Sequence, residues 1–344
     1  MDKEGRVLYL DYLKAFGIIL VICYHCSYIP FNFLFIEGAY AMCVPIFFMV
    51  NGYLMLRKER SIHDMILKNG KLLVVLFSWA FISTAVSMFC YGEWNSVGLI
   101  QGCKVLFYRS VFFRNPYSNH LWFLKVIFVL NLLNPIFYSF LNKKRQCLYL
   151  LIILGLCTVR FFDKIVGVFT NPLGKWWEAF ALFYYVLGYV LLSGKYLQRF
   201  VKINIVILIL LILVAVILQW GYNWVFLDGY LSELNQAKKW ITDVVWDGYK
   251  APFIVCLTSL VVLLFQRIRW RGCRFIQFIG QYSLAIYVMQ SPIQRLWEMV
   301  LPLGEWMNFI PSIRIVLPIL TLLSCLALTK LFLTNKYTAY LINF

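Results

Sequence analysis

Repeated apolar runs of about 20 residues constrain this chain more than any other feature of its sequence. Hydrophobic residues make up 62% of the chain and charged residues only 14%. A run of that length crosses the hydrocarbon core of a bilayer as an α-helix, in which the backbone satisfies its own hydrogen bonds. A water-soluble fold is therefore disfavoured, and the sequence predicts an all-α polytopic membrane protein.

The hydropathy pattern predicts about ten transmembrane helices and no appended soluble domain, so residues 1–344 are expected to form a single membrane domain. The longest stretches between spans, 92–119 and 222–249, are rich in aromatic residues and are expected to lie at the interface or over a cavity. The predicted spans are 8–29, 39–56, 71–91, 120–141, 147–162, 177–193, 202–221, 250–266, 275–297 and 313–334.

The basic residues predict how the chain is oriented in the membrane. Of the 32 Lys and Arg residues, 19 fall in segments on the side of the N-terminus and 11 in the longer segments opposite. Because short cytoplasmic loops carry an excess of Lys and Arg, both termini are predicted to be cytoplasmic. The net charge of +17 is then explained by topology and by attraction to anionic membrane lipid, with no need for nucleic acid as a partner.

The first apolar segment contains an unusual ionisable residue, His25, near its far end. An imidazole in a membrane-length segment is costly and changes protonation near neutral pH, so it is a functional-site candidate by default. On an ideal helix, Lys14 and Asp11 point within about 40° of His25 and extend the polar stripe to roughly 21 Å. Asp11 is too distant to orient His25 directly, so we expect it to set helix-end structure or to pair with Lys14 or another basic residue.

The ten cysteines do not form a recognisable metal or disulfide pattern. The pair Cys23 and Cys26 brackets His25 with CxxC spacing, but no second ligand pair follows at the spacing of a zinc site. Cysteine side chains are small and polarisable, and packing in an apolar environment explains them better than a metal site or a disulfide framework does. We therefore predict no metal site.

Five segments resemble the acyltransferase 3 family, integral membrane O-acyltransferases of bacterial surface polysaccharides. The opening segment, RVLYLDYLKAFGIILVICYH, has the family's Arg, Leu-Asp, basic residue and apolar run that ends on His. The other similar segments, in order, are VPIFFMVNGYLML (44–56), NHLWFLKVIFVLNLLNPI (119–136), FALFYYVLGYVL (180–191) and IGQYSLAIYVMQSPI (279–293). Each is mostly apolar, but their common order and spacing are specific.

The resemblance implies a multi-pass protein of the bacterial inner membrane that transfers an acyl group from cytoplasmic acyl-CoA. Acetyl-CoA is the expected donor because acetyl transfer is the commonest activity in the family. The implied acceptor is a hydroxyl of a cell-surface polysaccharide or lipid-linked glycan. A sugar hydroxyl is a poor nucleophile while protonated, so a positioned base is needed, and His25 is the candidate. Histidine can also act as a nucleophile, and spacing does not separate the two roles.

Several residues are expected around His25 at the far side of the membrane. His120 opens the fourth predicted span at the same level and could bind the acceptor, polarise the thioester carbonyl or orient His25. Trp122 belongs to the same segment. The hydroxyl of Tyr24 or Tyr28 could form a hydrogen bond with the imidazole of His25. Lys125, about one turn further, is expected to extend to the interface.

The phosphates of acyl-CoA are expected to bind Arg or Lys side chains on the cytoplasmic side of the protein. The loop between the second and third predicted spans has five of them, which are candidate donor-binding residues together with Lys14: Arg57, Lys58, Arg60, Lys68 and Lys71. Family members often have an Arg-x-x-Arg pair just before the third span. This chain has Lys68 and Lys71 there, while Arg57 and Arg60 keep that spacing at the other end of the loop.

Three further positions follow the family's later signatures and are expected to support the site or bind substrate. Ser283 fits the ninth-span pattern. Gln290 stands where many members have His, so a catalytic role does not transfer to it. Asn51 replaces a small Ser before the Gly of the second span and retains a hydrogen-bond donor.

Two other classes of protein fit a polytopic chain with a buried histidine. A transporter or flippase of a polysaccharide precursor or small molecule would move substrate without consuming acyl-CoA. A non-catalytic assembly partner would tolerate the loss of His25. The sequence shows no internal repeat with matched broken helices, which weakens the transporter interpretation.

Overall fold

The computed structural model describes residues 7–26, 41–93, 99–112, 120–141, 144–158, 179–193, 203–226, 249, 252–301 and 316–342. Within these residues the regular structure is helical, as predicted. The helices, numbered here in chain order, are α1 (Leu8–Cys26), α2 (Cys43–Leu56), α3 (Ile62–Cys90), α4 (Leu99–Phe112), α5 (Trp122–Leu141), α6 (Lys144–Thr158), α7 (Ala179–Leu192), α8 (Ile205–Phe226), α9 (Pro252–Arg267), α10 (Arg274–Gln281), α11 (Ser283–Val300), α12 (Val316–Leu333) and α13 (Lys336–Tyr340).

Four of the described helices are long and apolar enough to cross a membrane: α1, α3, α5 and α12. Four shorter apolar helical segments accompany them, namely Cys43–Leu56, Phe180–Leu192, Ile205–Leu218 and Phe253–Arg267. These findings support a helical membrane protein. The arrangement of ten spans with both termini in the cytoplasm stays a prediction.

Two sequence predictions differ from the structure in a way that affects the site. The predicted span 275–297 is two helices, because Tyr282 leaves helical geometry (φ −101°, ψ 21°) between α10 and α11. The break lets α10 turn onto α1, where Gly280 lies directly against the backbone carbonyl of Asp11. The stretch 92–119, predicted to be a loop, contains the helix α4 (Leu99–Phe112).

Helix α1 is central to the bundle and packs against α2, α9, α10, α11 and α12. Its N-terminal half is joined to the segment before α10 by polar contacts as well as packing. The hydroxyl of Tyr12 donates to the carbonyl of Arg271 and accepts from the backbone N–H of Cys273 at 2.8 Å. The Tyr12 ring also stacks on Trp270, with ring centroids 4.4 Å apart.

The backbones of α2 and α7 approach each other more closely than ordinary side chains permit. A Cβ on Gly52 would overlap the backbone of Tyr185, and a Cβ on Gly188 would overlap the backbone of Met49. In membranes, where lipid competes for apolar surface, small residues that allow such an approach are a principal source of helix association. The contact fixes α7 against the part of α2 that carries Asn51.

Replacing Gly52 or Gly188 by Ala is expected to lower the free energy of unfolding by about 1–3 kcal/mol, because the added methyl must displace backbone atoms. Thermal unfolding of the purified protein in detergent measures this. Gly70→Ala in α3 is the matched control, since nothing lies within 4 Å of its Cβ position. Ala favours a helix over Gly by about 1 kcal/mol, so this control is expected to be neutral or stabilising. Equal unfolding temperatures for Gly188→Ala and wild type would contradict the close approach.

Candidate active site

The two histidines singled out in the sequence lie at the same end of the bundle. His25 is exposed in the last turn of α1, and His120 is buried immediately before α5, with 7% of its surface accessible. The two imidazoles are close enough to interact electrostatically. We call this region, formed by the C-terminus of α1, the N-terminus of α5 and the second half of α11, the histidine end.

A proline in α11 leaves a backbone carbonyl without its helical partner close to His120. Pro292 lies inside that helix and has no N–H, so the carbonyl of Val288, four residues earlier, lacks its usual helical donor. The imidazole of His120 lies close to the backbone of Val288. Nε2 of His120 is buried without a hydrogen-bond partner.

Helix α11 brings a row of polar side chains to the end of α1. Gln290, Gln294 and Glu298 are spaced four residues apart and so lie near one another on the helix surface. Gln294 Nε2 lies 2.9 Å from the carbonyl oxygen of His25 and 2.8 Å from Glu298 Oε1, and donates to both. Gln290 is 1% accessible, and neither polar atom of its amide has a hydrogen-bond partner. An amide buried with both polar atoms unpaired is costly, so this position is suited to binding a polar ligand.

Arg295 adds a permanent positive charge to the histidine end. Its Nη1 donates a hydrogen bond to Ser87 Oγ, and Ser87 in turn donates to the carbonyl of Ser83 at 2.6 Å. The guanidinium also acts electrostatically on His120. The contact with α3 therefore holds a hydrogen-bond donor near the imidazole of His120.

A row of buried polar side chains runs from His120 along α5 towards the other end of the bundle. Asn131 and Asn134 are both fully buried and follow His120 by 11 and 14 residues. At 1.5 Å and 100° per residue, they lie on the His120 side of the helix, up to roughly 21 Å away. The same two spacings separate Lys14 and Asp11 from His25 on α1. Lys14 Nζ lies 2.9 Å from Asp11 Oδ1, which is one of the pairings expected from the sequence.

The asparagines of α5 are linked to neighbouring helices. Asn131 Nδ2 donates to Asn69 Oδ1 at 3.1 Å, and the hydroxyl of Tyr185 donates to Asn134 Oδ1 at 2.8 Å. One polar atom of each asparagine, Asn131 Oδ1 and Asn134 Nδ2, is buried without a hydrogen-bond partner. This network thus has hydrogen-bonding capacity left for a ligand.

The loop between α2 and α3 lies near the N-terminus of α1, away from the histidine end. Tyr9 of α1 interacts with both Tyr53 and Arg57, which places the C-terminus of α2 beside the start of α1. We call this region the basic end. Arg57 lies over the Tyr53 ring at 6.0 Å, and Lys58 is exposed.

Arg60 and Lys68, one from each of the two basic pairs seen in the sequence, interact at the basic end. Arg60 Nη2 donates to the carbonyl of Leu54 at 3.4 Å, while its Nε is buried without a hydrogen-bond partner. Lys68 Nζ lies 2.9 Å from Met55 Sδ. Arg60 also acts electrostatically on Tyr185, so it connects the basic end to the polar network on α5. Lys71 instead lies over the ring of Tyr340, 5.0 Å from its centroid.

The remaining predicted residues have varied surroundings. Tyr24 is exposed and meets the His25 ring edge-on at 5.4 Å, whereas Tyr28 lies outside the described residues. Trp122 packs in an aromatic cluster with Phe48, Phe123, Phe180 and Tyr249. Ser283 is buried in the first turn of α11. Asn51 has a buried Nδ2 without a hydrogen-bond partner.

One of the sequence expectations was wrong. Lys125 does not extend to the interface: it is buried on α5, with 6% of its surface accessible, and acts electrostatically on His120. Burial among packed helices removes the path by which its side chain would reach water. Lys125 therefore contributes to the charge around the histidine end.

Sequence reasoning missed three residues of the histidine end: Gln294, Arg295 and Glu298. A signal was present, because Gln290, Gln294 and Glu298 recur every four residues in an otherwise apolar segment. Arg295 is one of the 11 basic residues counted on the side opposite the N-terminus. Among the described residues, no group of three or more His, Cys, Asp or Glu side chains lies together as metal ligands would.

The family comparison agrees with the resemblance seen in the sequence. The model of an acyltransferase domain, acyltransferase 3, matches residues 7–330, which is nearly the whole chain. No curated protein and no solved structure matches the chain.

Replacing Pro292 by Ala is expected to restore a helical N–H donor to the Val288 carbonyl and so change the surroundings of the His120 imidazole, which lies close to that backbone. The chain has three histidines, so nitrogen NMR of protein labelled with ¹⁵N-histidine can resolve the ring signals of each. We expect the ring-nitrogen shifts of His120 to differ between wild type and Pro292→Ala. Pro135→Ala in α5 is the control, since it makes the same backbone change inside another helix. An unchanged His120 spectrum in Pro292→Ala would contradict the contact between the imidazole and the Val288 backbone.

Proposed function

The chain belongs to the acyltransferase 3 family, and on that premise we propose that it is an O-acyltransferase of the bacterial inner membrane, with both termini in the cytoplasm. In this proposal it transfers an acyl group, acetyl in the simplest case, from cytoplasmic acyl-CoA. The acceptor is a hydroxyl of a cell-surface polysaccharide or lipid-linked glycan. The observation that carries the proposal is the pair of imidazoles at one end of the bundle, joined by buried polar side chains to cations at the other.

The basic end is the proposed entry for the donor. Coenzyme A carries phosphates, which arginine and lysine bind by charge-assisted hydrogen bonds. Arg60 and Lys68 interact with each other, so two positive charges are held in one place. Like charges at short range are unfavourable until an anion lies between them, which supports a phosphate group as the ligand. Arg57, Lys58, Lys71 and Lys14 would add to the positive field at this mouth.

The polar network of α5 is the proposed route of the thioester arm into the bundle. The pantetheine part of coenzyme A contains amide groups that need hydrogen-bond partners when they leave water. Asn131 Oδ1 and Asn134 Nδ2 offer an acceptor and a donor in the buried region next to Tyr185. The distance of roughly 21 Å from Asn134 to His120 along α5 would then be bridged by the extended arm, with its thioester at the histidine end.

The proposed chemical step uses His25 as general base. The imidazole removes the proton of the sugar hydroxyl while that oxygen attacks the thioester carbonyl carbon. The resulting tetrahedral intermediate collapses as its C–S bond breaks, and the sulfur leaves with the proton returned by the imidazolium. Ester and coenzyme A thiol are the products, and the proton taken from the sugar ends on the thiol.

Other residues at the histidine end have proposed supporting roles in this step. Arg295 lies close to the imidazoles and would stabilise the negative charge that develops on the carbonyl oxygen. His120 Nε2, which is buried without a hydrogen-bond partner, would bind the acceptor sugar and orient the reacting hydroxyl. The unpaired amide of Gln290 would bind a further polar group of the substrates, and Trp122 and Tyr24 offer aromatic surfaces for a sugar ring.

Replacing His25 by Ala is expected to reduce acetyl transfer by about 100-fold to 10,000-fold, the usual contribution of a general base. The measurement is incorporation of labelled acetyl from acetyl-CoA into glycan in membranes, normalised to the amount of inserted protein. His63→Ala is the matched control, because His63 is an exposed histidine in the first turn of α3 and has no proposed role in binding or catalysis. Equal incorporation by His25→Ala and wild type would refute the mechanism. Full activity in His25→Ala with loss in His120→Ala would transfer the role of base to His120.

Replacing Arg295 by Gln is expected to lower kcat by about 100-fold with a smaller change in KM, because the guanidinium acts on charge that develops in the transition state. Arg295→Lys retains the charge and should recover part of the rate. Arg267→Gln, an exposed position at the end of α9, is the control and should leave both constants unchanged. A change in KM alone would contradict the assigned role and indicate ground-state binding.

A further inference from the structure

A groove between α10 and α12 is separate from the proposed reaction site and has its own chemical character. It encloses about 580 Å³, which is within the usual range for sites that bind small molecules. Its lining includes Arg274, Phe275 and Phe278 from α10, and Leu323, Ala327 and Lys330 from α12. The groove thus combines a mainly apolar wall with two cations.

The apolar wall is exposed on the outside of the bundle. Phe275 and Leu323 are 56% and 53% exposed, although both are strongly apolar. Helix α12 is one of the four helices long and apolar enough to cross a membrane, and Leu323, Ala327 and Lys330 lie along one face of it. An apolar surface of this kind favours hydrocarbon as the occupant over water or a water-soluble anion.

The polar end of the groove favours an anion. Arg274 begins α10 and Lys330 lies in the last turn of α12, and no carboxylate is among the lining residues. Arg267, Arg269 and Arg271 precede α10 but are not among the residues that line the groove. Basic residues near a membrane surface attract anionic lipid, with about 1 kcal/mol for each Lys or Arg.

The groove also lies against a helix that is fixed to α1. Helix α10 packs on α1 through Gly280, and the segment before it is held by Tyr12. The opposite side of α10 contributes Phe275 and Phe278 to the groove, next to Arg274. An occupant of the groove would therefore contact α10 from the side that α1 leaves uncovered.

From these observations we propose that the groove is a binding site for an anionic phospholipid. The headgroup phosphate binds between Arg274 and Lys330, and an acyl chain lies along Phe278, Leu323 and Ala327. Zwitterionic lipids place a positive group near the same two cations and bind less well. The site is independent of acyl transfer, because none of its residues belongs to the proposed reaction path.

The test uses the full-length protein in bilayer discs that contain equal amounts of phosphatidylglycerol and phosphatidylcholine. Native mass spectrometry after release measures the ratio of the two lipids that stay bound. Wild type is expected to retain phosphatidylglycerol preferentially. Arg274→Gln with Lys330→Gln should reduce that preference by about 25-fold, since about 1 kcal/mol for each cation corresponds to about fivefold.

Two further variants separate a specific site from general surface charge. Arg269→Gln with Lys336→Gln removes two exposed positive charges outside the groove lining and should keep the preference of wild type. Ala327→Trp fills the groove but keeps both cations, and should lose the preference while the thermal unfolding temperature confirms that it folds. Equal effects of the two charge-removing pairs would overturn the proposal. Displacement of phosphatidylglycerol by free coenzyme A or by inorganic phosphate would also overturn it, because the cations would then serve a soluble anion.

Discussion

Polar groups that lie in hydrocarbon must find partners within the protein, and most of this structure follows from that requirement. The backbone meets it by forming helices in the described residues that cross or line the bundle. Pro292 is an informative exception, because it leaves the carbonyl of Val288 without its helical donor. The imidazole of His120 lies close to the Val288 backbone, so a missing hydrogen bond in one helix lies next to a polar side chain that belongs to another.

The same requirement gives meaning to the buried side chains that do not have all of their partners. Asn131, Asn134 and Gln290 are each almost completely buried, yet each has a polar atom without a hydrogen bond. Such atoms are expensive in a finished core and are typical of sites that a ligand completes. They mark a polar line through the bundle, from Arg60 at the basic end to His120 and His25 at the histidine end. The proposed meeting of a cytoplasmic donor with an acceptor from the other side depends on that line.

Close backbone contacts at three glycines hold helices of the bundle together. Gly52 and Gly188 let α2 and α7 approach each other at backbone distance beside Asn51. Gly280 does the same for α10 against α1, which is possible because the chain turns at Tyr282. Neither contact could be predicted from hydropathy. The hydropathy of an apolar segment is the same whether its glycine faces another helix or lipid. The predicted span 275–297 is two helices because the chain leaves helical geometry at Tyr282, which its uniform apolar pattern does not show.

The sequence by itself determined the helical class, the membrane setting and the family, and it predicted His25 as a site residue, because apolar run length and an isolated imidazole are local properties. It also predicted His120 and the basic loop between α2 and α3 as site residues, but not how they are placed relative to each other or to His25. Only the tertiary structure decided that His25 and His120 lie together, that Arg60 meets Lys68, and that Gln294, Arg295 and Glu298 belong to the histidine end. It also decided that Lys125 is buried. These facts depend on which helix faces lie against each other, and that is set by packing between segments far apart in the chain, which no local pattern records.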